Sequence, residues 1–305
     1  MLVNEGLAEF IRIKWGLAHK QCQLFSGEGE LPMIESSFFL NKRGAIRHPP
    51  TLPYMSVRFV HTPAQSLSSI NGQWLESAGL LAQEMSSRGT ANAISLPPEI
   101  TDVRPWQWAG YRAYVKYTLY LDFPYSIKQA NESVRRNIRK AEKLGYRCVR
   151  TLDAEAAFQC LAETQERKGL TRYLTASDLQ LAVRLIGDEG CRVYVCYAPN
   201  GEPASASIIL LHPGERAKFW LVGTVTSHLQ AGVTQLLIRT LLEDLQEEQV
   251  LGFDFVGANN PGVADSKIRW GARLVPYYVL NRYGVKPLLH YLREWWLFAK
   301  TPGRG

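Results

Sequence analysis

Apolar residues recur at three- and four-residue intervals through Leu67, Ile70, Trp74, Leu75, Ala78, Leu81 and Met85, which predicts an amphipathic helix over 66–89. Residues 111–123 are instead rich in Tyr, Val, Thr and Leu with partial alternation, the pattern of a strand. Ile127, Ala130, Val134, Ile138 and Ala141 then form one stripe of a helix that Ser126 caps and Gly145 stops. From 146 the two periods alternate, predicting a strand to 152, helices over 153–168 and 177–188, and strands over 192–197, 204–211 and 217–223. A helix over 227–249, a strand over 252–257, a short helix over 263–272 and a strand over 275–283 follow, with an amphipathic closing helix over 286–300. Residues 1–62 are less regular. Met33-Ile34 and 37–40 are strand-like, and the prolines within 48–54 hold that segment extended. Residues 93–96 read as a short strand ended by Pro97 and Pro98.

The 305 residues are 46% hydrophobic and 21% charged, enough for packed cores and for about two domains. That composition excludes a disordered chain. No stretch approaches the roughly 18 uncharged apolar residues of a membrane span. An acid, Glu5, stands where a signal peptide needs basic residues, so a cytoplasmic protein is expected. The net charge of +7 favours anionic partners such as phosphate-bearing ligands, nucleic acid or a membrane surface. Five cysteines (Cys22, Cys148, Cys160, Cys191 and Cys196) follow no CxxC spacing and have no nearby histidine, so reduced thiols and no metal are expected. The absence of a Ser/His/Asp order or HExxH spacing leaves hydrolase and zinc-protease chemistry without support.

The order strand, two helices, three strands, helix, strand, helix, strand is similar to that of the GNAT acyltransferase fold. Val134-Arg135-Arg136-Asn137-Ile138-Arg139-Lys140-Ala141-Glu142-Lys143-Leu144-Gly145-Tyr146 resembles the basic helix that opens the second repeat of the Fem-type peptidyltransferases and of FemAB-like and BioF2-like relatives. Gly252-Phe253-Asp254-Phe255-Val256-Gly257, with Ser266-Lys267-Ile268-Arg269-Trp270-Gly271-Ala272, resembles that family's late strand and its lysine-containing, glycine-ended helix. The resemblance covers about residues 100–285. It implies an α/β fold of two GNAT-like halves, mixed sheets flanked by helices, with a degenerate first half over 1–144 and an acyltransferase half over 145–305. The implied reaction is transfer of an acyl group from an activated donor, acyl-coenzyme A first, to an amine on a small-molecule or nucleotide-linked acceptor such as a cell-envelope precursor. A Fem-type donor would instead be aminoacyl-tRNA. A non-catalytic module that binds RNA or anionic lipid is the reading from a different class.

Asp254 lies between Phe253 and Phe255 on a strand, so its carboxylate faces away from both rings. It is a candidate general base, or a holder of the 258–262 loop. By resemblance, Lys267 would steady a carbonyl oxyanion or an acceptor phosphate. The resemblance also places the donor diphosphate on backbone N–H groups over 222–233, naming Gly223, Thr226, Ser227 and Gly232. This segment has no GxG, which leaves both donors open. Arg135, Arg136 and Arg139, with Lys140 and Lys143, crowd like charges at helical spacing, a cost that a bound anion would relieve or a solvated face would tolerate. Trp106, Tyr111 and Tyr117 could wall an acceptor pocket or fill the core. The helix over 286–300 joins Leu288, Leu289, Leu292, Trp295, Trp296 and Phe298 to Lys286, Arg293 and Lys300. That composition suits docking on the domain or peripheral contact with an anionic membrane.

Overall fold

The computed structural model describes residues 3–25, 33–63, 66–248 and 250–282. The expected closing helix over 286–300, and with it the membrane contact, lies outside these residues. In chain order the elements are α1 (Glu5–Trp15), β1 (Ala18–Leu24), β2 (Ile34–Leu40), β3 (Ser56–Phe59), α2 (Leu67–Arg88), β4 (Ile94–Ser95), α3 (Arg104–Trp108) and β5 (Tyr111–Asp122). Then come α4 (Glu132–Lys143), β6 (Arg147–Thr151), α5 (Ala154–Lys168), α6 (Ala176–Ile186), β7 (Cys191–Tyr197), β8 (Pro203–Leu210) and β9 (Arg216–Thr224). The last are α7 (Val233–Gln246), β10 (Gly252–Asp254), α8 (Pro261–Ile268) and β11 (Arg273–Arg282).

The described residues of Met1–Ala18, Pro49–Pro53 and Lys116–Pro276 form one compact unit. Those of His19–His48, Tyr54–Val115 and Tyr277–Gly305 form the other. These units run differently from a cut at residue 144, and the unit boundary falls inside β5 and β11. In the second unit, β1, β2 and β3 make a three-stranded sheet, and β4 pairs with the last part of β11. Its core gathers Ile34, Phe38, Val57, Trp74, Leu81, Met85 and Trp106.

In the first unit the strand order is β5-β10-β9-β8-β7-β6. All neighbours are antiparallel except β9 and β10, which α7 connects as a parallel crossover. One face of this sheet is covered by α4 and α7, through Val134, Ile138, Ala141, Val233, Leu237 and Leu241 against Leu121, Phe219, Phe253 and Phe255. The stripe expected for α4 is therefore the buried one. Asp153 caps α5 by accepting the Ala156 N–H, and Gly169 ends it in the left-handed region. Thr175 and Asp178 form a capping box on α6.

Three elements depart from the sequence pattern, each for a local reason. Ser126 caps only a 3-10 turn over Ile127–Gln129; the chain is extended at Ala130, and Asn131 restarts it as α4 by accepting the Ser133 N–H. The helix expected from 227 is a 3-10 turn over Thr226–Ala231 that Gly232, at φ 83°, separates from α7. Finally, β10 stops at Asp254, because Val256 turns left-handed at φ 48°. The irregular start conceals α1, whose Leu7, Phe10 and Ile11 are buried between the Asn4 cap and the Gly16 stop.

Gly223 and Gly232 are places where backbones nearly touch. A Cβ on Gly223 would lie 2.3 Å from the Cys160 carbonyl oxygen of α5, and one on Gly232 would lie 2.1 Å from the Asn137 carbonyl oxygen of α4. Gly223→Ala should therefore destabilise the protein by about 1–3 kcal/mol, since two backbones must separate. Urea unfolding measures this, and a loss below about 0.5 kcal/mol would mean the strand and helix are not in close contact.

Candidate functional site

The parallel pairing of β9 with β10 is short. Its register runs from Gly252↔Arg216 to Asp254↔Lys218, while β9 continues to Thr224. After Asp254 the chain leaves β9 and follows β5 instead: the Phe255 N–H donates to the Leu119 carbonyl (3.0 Å) and the Ala258 N–H to the Tyr117 carbonyl (2.7 Å). The Asn259 amide completes this substitute ladder, accepting the Tyr117 N–H at 2.9 Å and donating to the Tyr117 carbonyl at 3.1 Å. The β10-facing edge of Phe219–Gly223 thus has no strand partner among the described residues, whereas the Thr224 N–H and carbonyl are taken by Thr164 and Arg167. A bulge on the β8 side, where Ile208 pairs with Leu221 but Ile209 with Phe219, sits in the same stretch.

Asp254, Tyr120 and Lys218 are lateral neighbours and share one sheet face, opposite the Phe253 and Phe255 rings, whose centroids are 5.0 Å apart. Asp254 is buried, and its Oδ1 accepts the Thr118 hydroxyl at 2.5 Å and the Val256 N–H at 2.8 Å. The Thr118 oxygen in turn accepts the Gly257 N–H at 3.2 Å. Lys267 reaches back from α8 and donates to the carbonyls of Phe255 (2.7 Å), Val256 (2.9 Å) and Gly257 (2.6 Å). Asn260, accepting the Gly262 and Val263 N–H groups as N-cap with Pro261 behind it, fixes the direction of α8 and so of Lys267. Burial pulls the Lys267 ammonium down to about 8, the Asp254 charge opposing the shift and the Lys168 charge adding to it.

The turn after β9 is held by the protein's own groups. Glu163 of α5 accepts the Thr226 N–H at 2.7 Å, and Thr226, by hydroxyl and N–H, holds this carboxyl below the usual range, with the charges of Arg167 and His228 adding. Arg167 donates to the Thr224 carbonyl (3.0 Å), the Thr226 hydroxyl (2.8 Å) and the Thr164 hydroxyl (3.1 Å). Tyr146 hydrogen-bonds the His228 Nδ1 at 2.7 Å, and Lys140 donates to the Gln230 carbonyl at 2.7 Å. An open cradle made by Gly223, Thr226, Ser227 and Gly232 is not what forms. Both glycines are consumed by backbone packing, the Thr226 N–H already meets an anion, and Ser227 is a solvent-exposed member of the turn.

The basic helix is also partly neutralised. Glu132, one turn ahead of the cluster, pairs with both Arg135 (2.7 Å) and Arg139 (2.5 Å). Arg136 and Lys143 are exposed, with no ion pair among the described residues. Of the three aromatics expected around an acceptor, Trp106 is fully buried in the core of the second unit and donates its indole N–H to the Met85 sulfur, so it walls no pocket. Tyr111 is buried in that unit beneath the Arg282 guanidinium, 5.5 Å from its ring. Tyr117 is exposed in the first unit, where its backbone anchors Asn259.

Residues 128–262 match the family model of the acetyltransferase (GNAT) domain. This part of the chain is a GNAT acyltransferase domain. A crystal structure of FemX superposes with a TM-score of 0.66 over 95% of this chain and 94% of that one, at 14% identity. The C-terminal domain of a candidate lysylphosphatidylglycerol synthetase from Agrobacterium fabrum gives 0.59 over 95% and 91%, at 12% identity. L-PGS from Bacillus licheniformis gives 0.55 over 95% and 96%, at 13% identity. No curated protein matches the sequence.

The acyltransferase thus brings Asp254 and Lys267 together at the end of β10 and keeps the 222–233 turn as a separate, closed cluster. None of its described helices is long and apolar enough to cross a membrane. Thr118, Asn259, Glu163 and Arg167 take part in these clusters without having been singled out in the sequence. Glu163 and Arg167 stand four apart on α5 and could have been paired by spacing; Thr118 carries no such signal.

Because folding lowers the Lys267 pKa from 10.5 to about 8, the unfolded chain binds more protons between those values. The contribution of Lys267 to the acyltransferase's stability therefore rises with pH across that window and is flat below it. Between pH 8 and 10, wild type should gain roughly 1–3 kcal/mol over Lys267→Met in urea unfolding. An unchanging gap would mean that the ammonium is not depressed.

Proposed function

We propose that this acyltransferase takes an aminoacyl group from charged tRNA and passes it to an amine of a cell-envelope precursor. The observation that carries this reading is the Glu163 carboxylate on the Thr226 N–H. An acyl-coenzyme A donor, the first one implied by the sequence resemblance, would bring a diphosphate to this turn. There the Glu163 carboxylate would repel it. A donor held by its nucleic-acid body does not need that cradle. FemX and the candidate lysylphosphatidylglycerol synthetase domain support the same direction, the second being named for an aminoacylated product.

The chemistry itself is attack of a neutral amine on an activated carbonyl, helped mainly by orientation and by keeping water away. The open edge of Phe219–Gly223 offers backbone N–H and C=O groups along which an extended donor could pair, as one further strand would. Arg136 and Lys143, free of internal partners among the described residues, are suited to phosphates of an RNA backbone.

Thermal stability separates the donors. A ligand at 100 times its dissociation constant adds about 2.7 kcal/mol. Charged tRNA should raise the melting temperature, whereas coenzyme A and acetyl-coenzyme A should do no more than ADP. A coenzyme A shift without a tRNA shift would overturn the reading. Replacing Arg136 and Lys143 by Ala should also reduce the slope of log affinity for tRNA against log salt by about 1–2. An unchanged slope would remove these residues from the RNA contact.

A further inference from the structure

An ammonium has three N–H donors and no acceptor. Each of the three carbonyls that follow Asp254 lies within 2.6–2.9 Å of the Lys267 Nζ, so all three donors are spent inside the protein. No N–H is left for an oxyanion or a phosphate. The carbonyls of three successive residues do not normally face one point, and the left-handed Val256 is what turns them together. A β-branched residue in that region costs of order 1–3 kcal/mol, which persists only where surrounding bonds over-determine it. Those bonds are present: the N–H groups of Phe255, Val256, Gly257 and Ala258 go to Leu119, Asp254, Thr118 and Tyr117 respectively.

We propose that the carbonyls of Phe255, Val256 and Gly257 form an ammonium seat, that Lys267 is its resident cation, and that Lys267 serves transfer only by holding this loop on β5, away from the open edge of β9. It is a positioning residue on this account. The seat is a binding site in its own right, with a defined ligand class: a primary alkylammonium, which supplies three donors and a charge beside the Asp254 carboxylate. A quaternary ammonium supplies the charge alone. The seat would form whatever the donor is. Its functional half rests on the tRNA reading above, so the experiment keeps the two separate.

Lys267→Ala removes the atoms from Cγ to Nζ, and propylammonium chloride replaces them. Hydrogen exchange read by mass spectrometry follows the peptide containing Phe255–Ala258. In the Ala variant these amides should exchange about tenfold faster or more than in wild type, the loss of one to two hydrogen bonds' worth of protection. Propylammonium should restore protection and raise the melting temperature of the variant while leaving wild type unchanged, and tetramethylammonium chloride should do neither. Lys267→Met, which keeps an apolar stem without donors, provides the same loss if the Ala variant folds poorly, and it should resist rescue. Wild-type protection in both variants, or equal rescue by both salts, would overturn the seat. With transfer from charged tRNA as readout, kcat should fall in the Ala variant with KM little changed and return with propylammonium in step with protection. Protection restored without kcat would overturn the positioning role, leaving the seat standing. Absence of tRNA-dependent transfer in wild type would overturn the donor assignment, while the exchange measurements still decide the seat.

Discussion

A carboxylate taken out of water has to be met by donors, and the end of β10 is shaped by the way Asp254 meets that requirement. Its Oδ1 takes a hydroxyl from one neighbouring strand and an N–H from two residues ahead. The second bond draws the chain into a turn, and the turn ends the pairing with β9 after only three registers. Strand separation at this point follows from a buried charge and the local geometry needed to satisfy it. Lys267 then closes the turn from the other side, so that every backbone group of the loop from Phe255 to Gly257 has a partner.

The neighbouring turn after β9 shows the same economy applied to an anion. Backbone N–H groups at the start of a turn attract negative charge, and Glu163 supplies it from within the chain. Arg167 balances that carboxylate while tying Thr224 to Thr226, and a string of hydroxyls from Ser205 through Thr224 to Thr234 joins β8, β9 and α7 at 2.8 Å per step. The close approaches at Gly223 and Gly232 press α5 and α4 onto this cluster. The charges of this turn are thus matched within the chain, and its two glycines lie against the backbones of α5 and α4.

Much of this architecture was legible in the sequence, since the apolar stripe of α4, the strands from β6 to β9 and the alternation around Asp254 all follow simple periods. The places where pattern fails are those where a single residue overrides its neighbours. Asn131 and Gly232 each break a helix that periodicity carries through, and Val256 stops a strand that its flanking phenylalanines continue. The site was legible in part. Asp254 and Lys267 stand out by local motif, but their partners Thr118 and the loop carbonyls are ordinary residues whose importance comes from position alone. The charge on α4 was readable as composition; its cancellation by Glu132 needed the helix to begin where Asn131 begins it.

The hydrogen bond from Thr118 to Asp254 spans 136 residues of chain. Closing so long a loop delays its contact relative to the hairpins β7–β8 and β8–β9, which form from neighbouring segments. On a ribosome, β5 must therefore wait through the synthesis of almost the whole first unit before the strand that pairs with its Tyr120–Asp122 segment exists. During that interval its Tyr120–Asp122 edge is bare, and a bare edge is the part of a nascent sheet most exposed to pairing with another chain. The late arrival of β10, and of α8 with the Lys267 that closes its loop, thus makes the Asp254 cluster one that cannot assemble until long after β5 has been made.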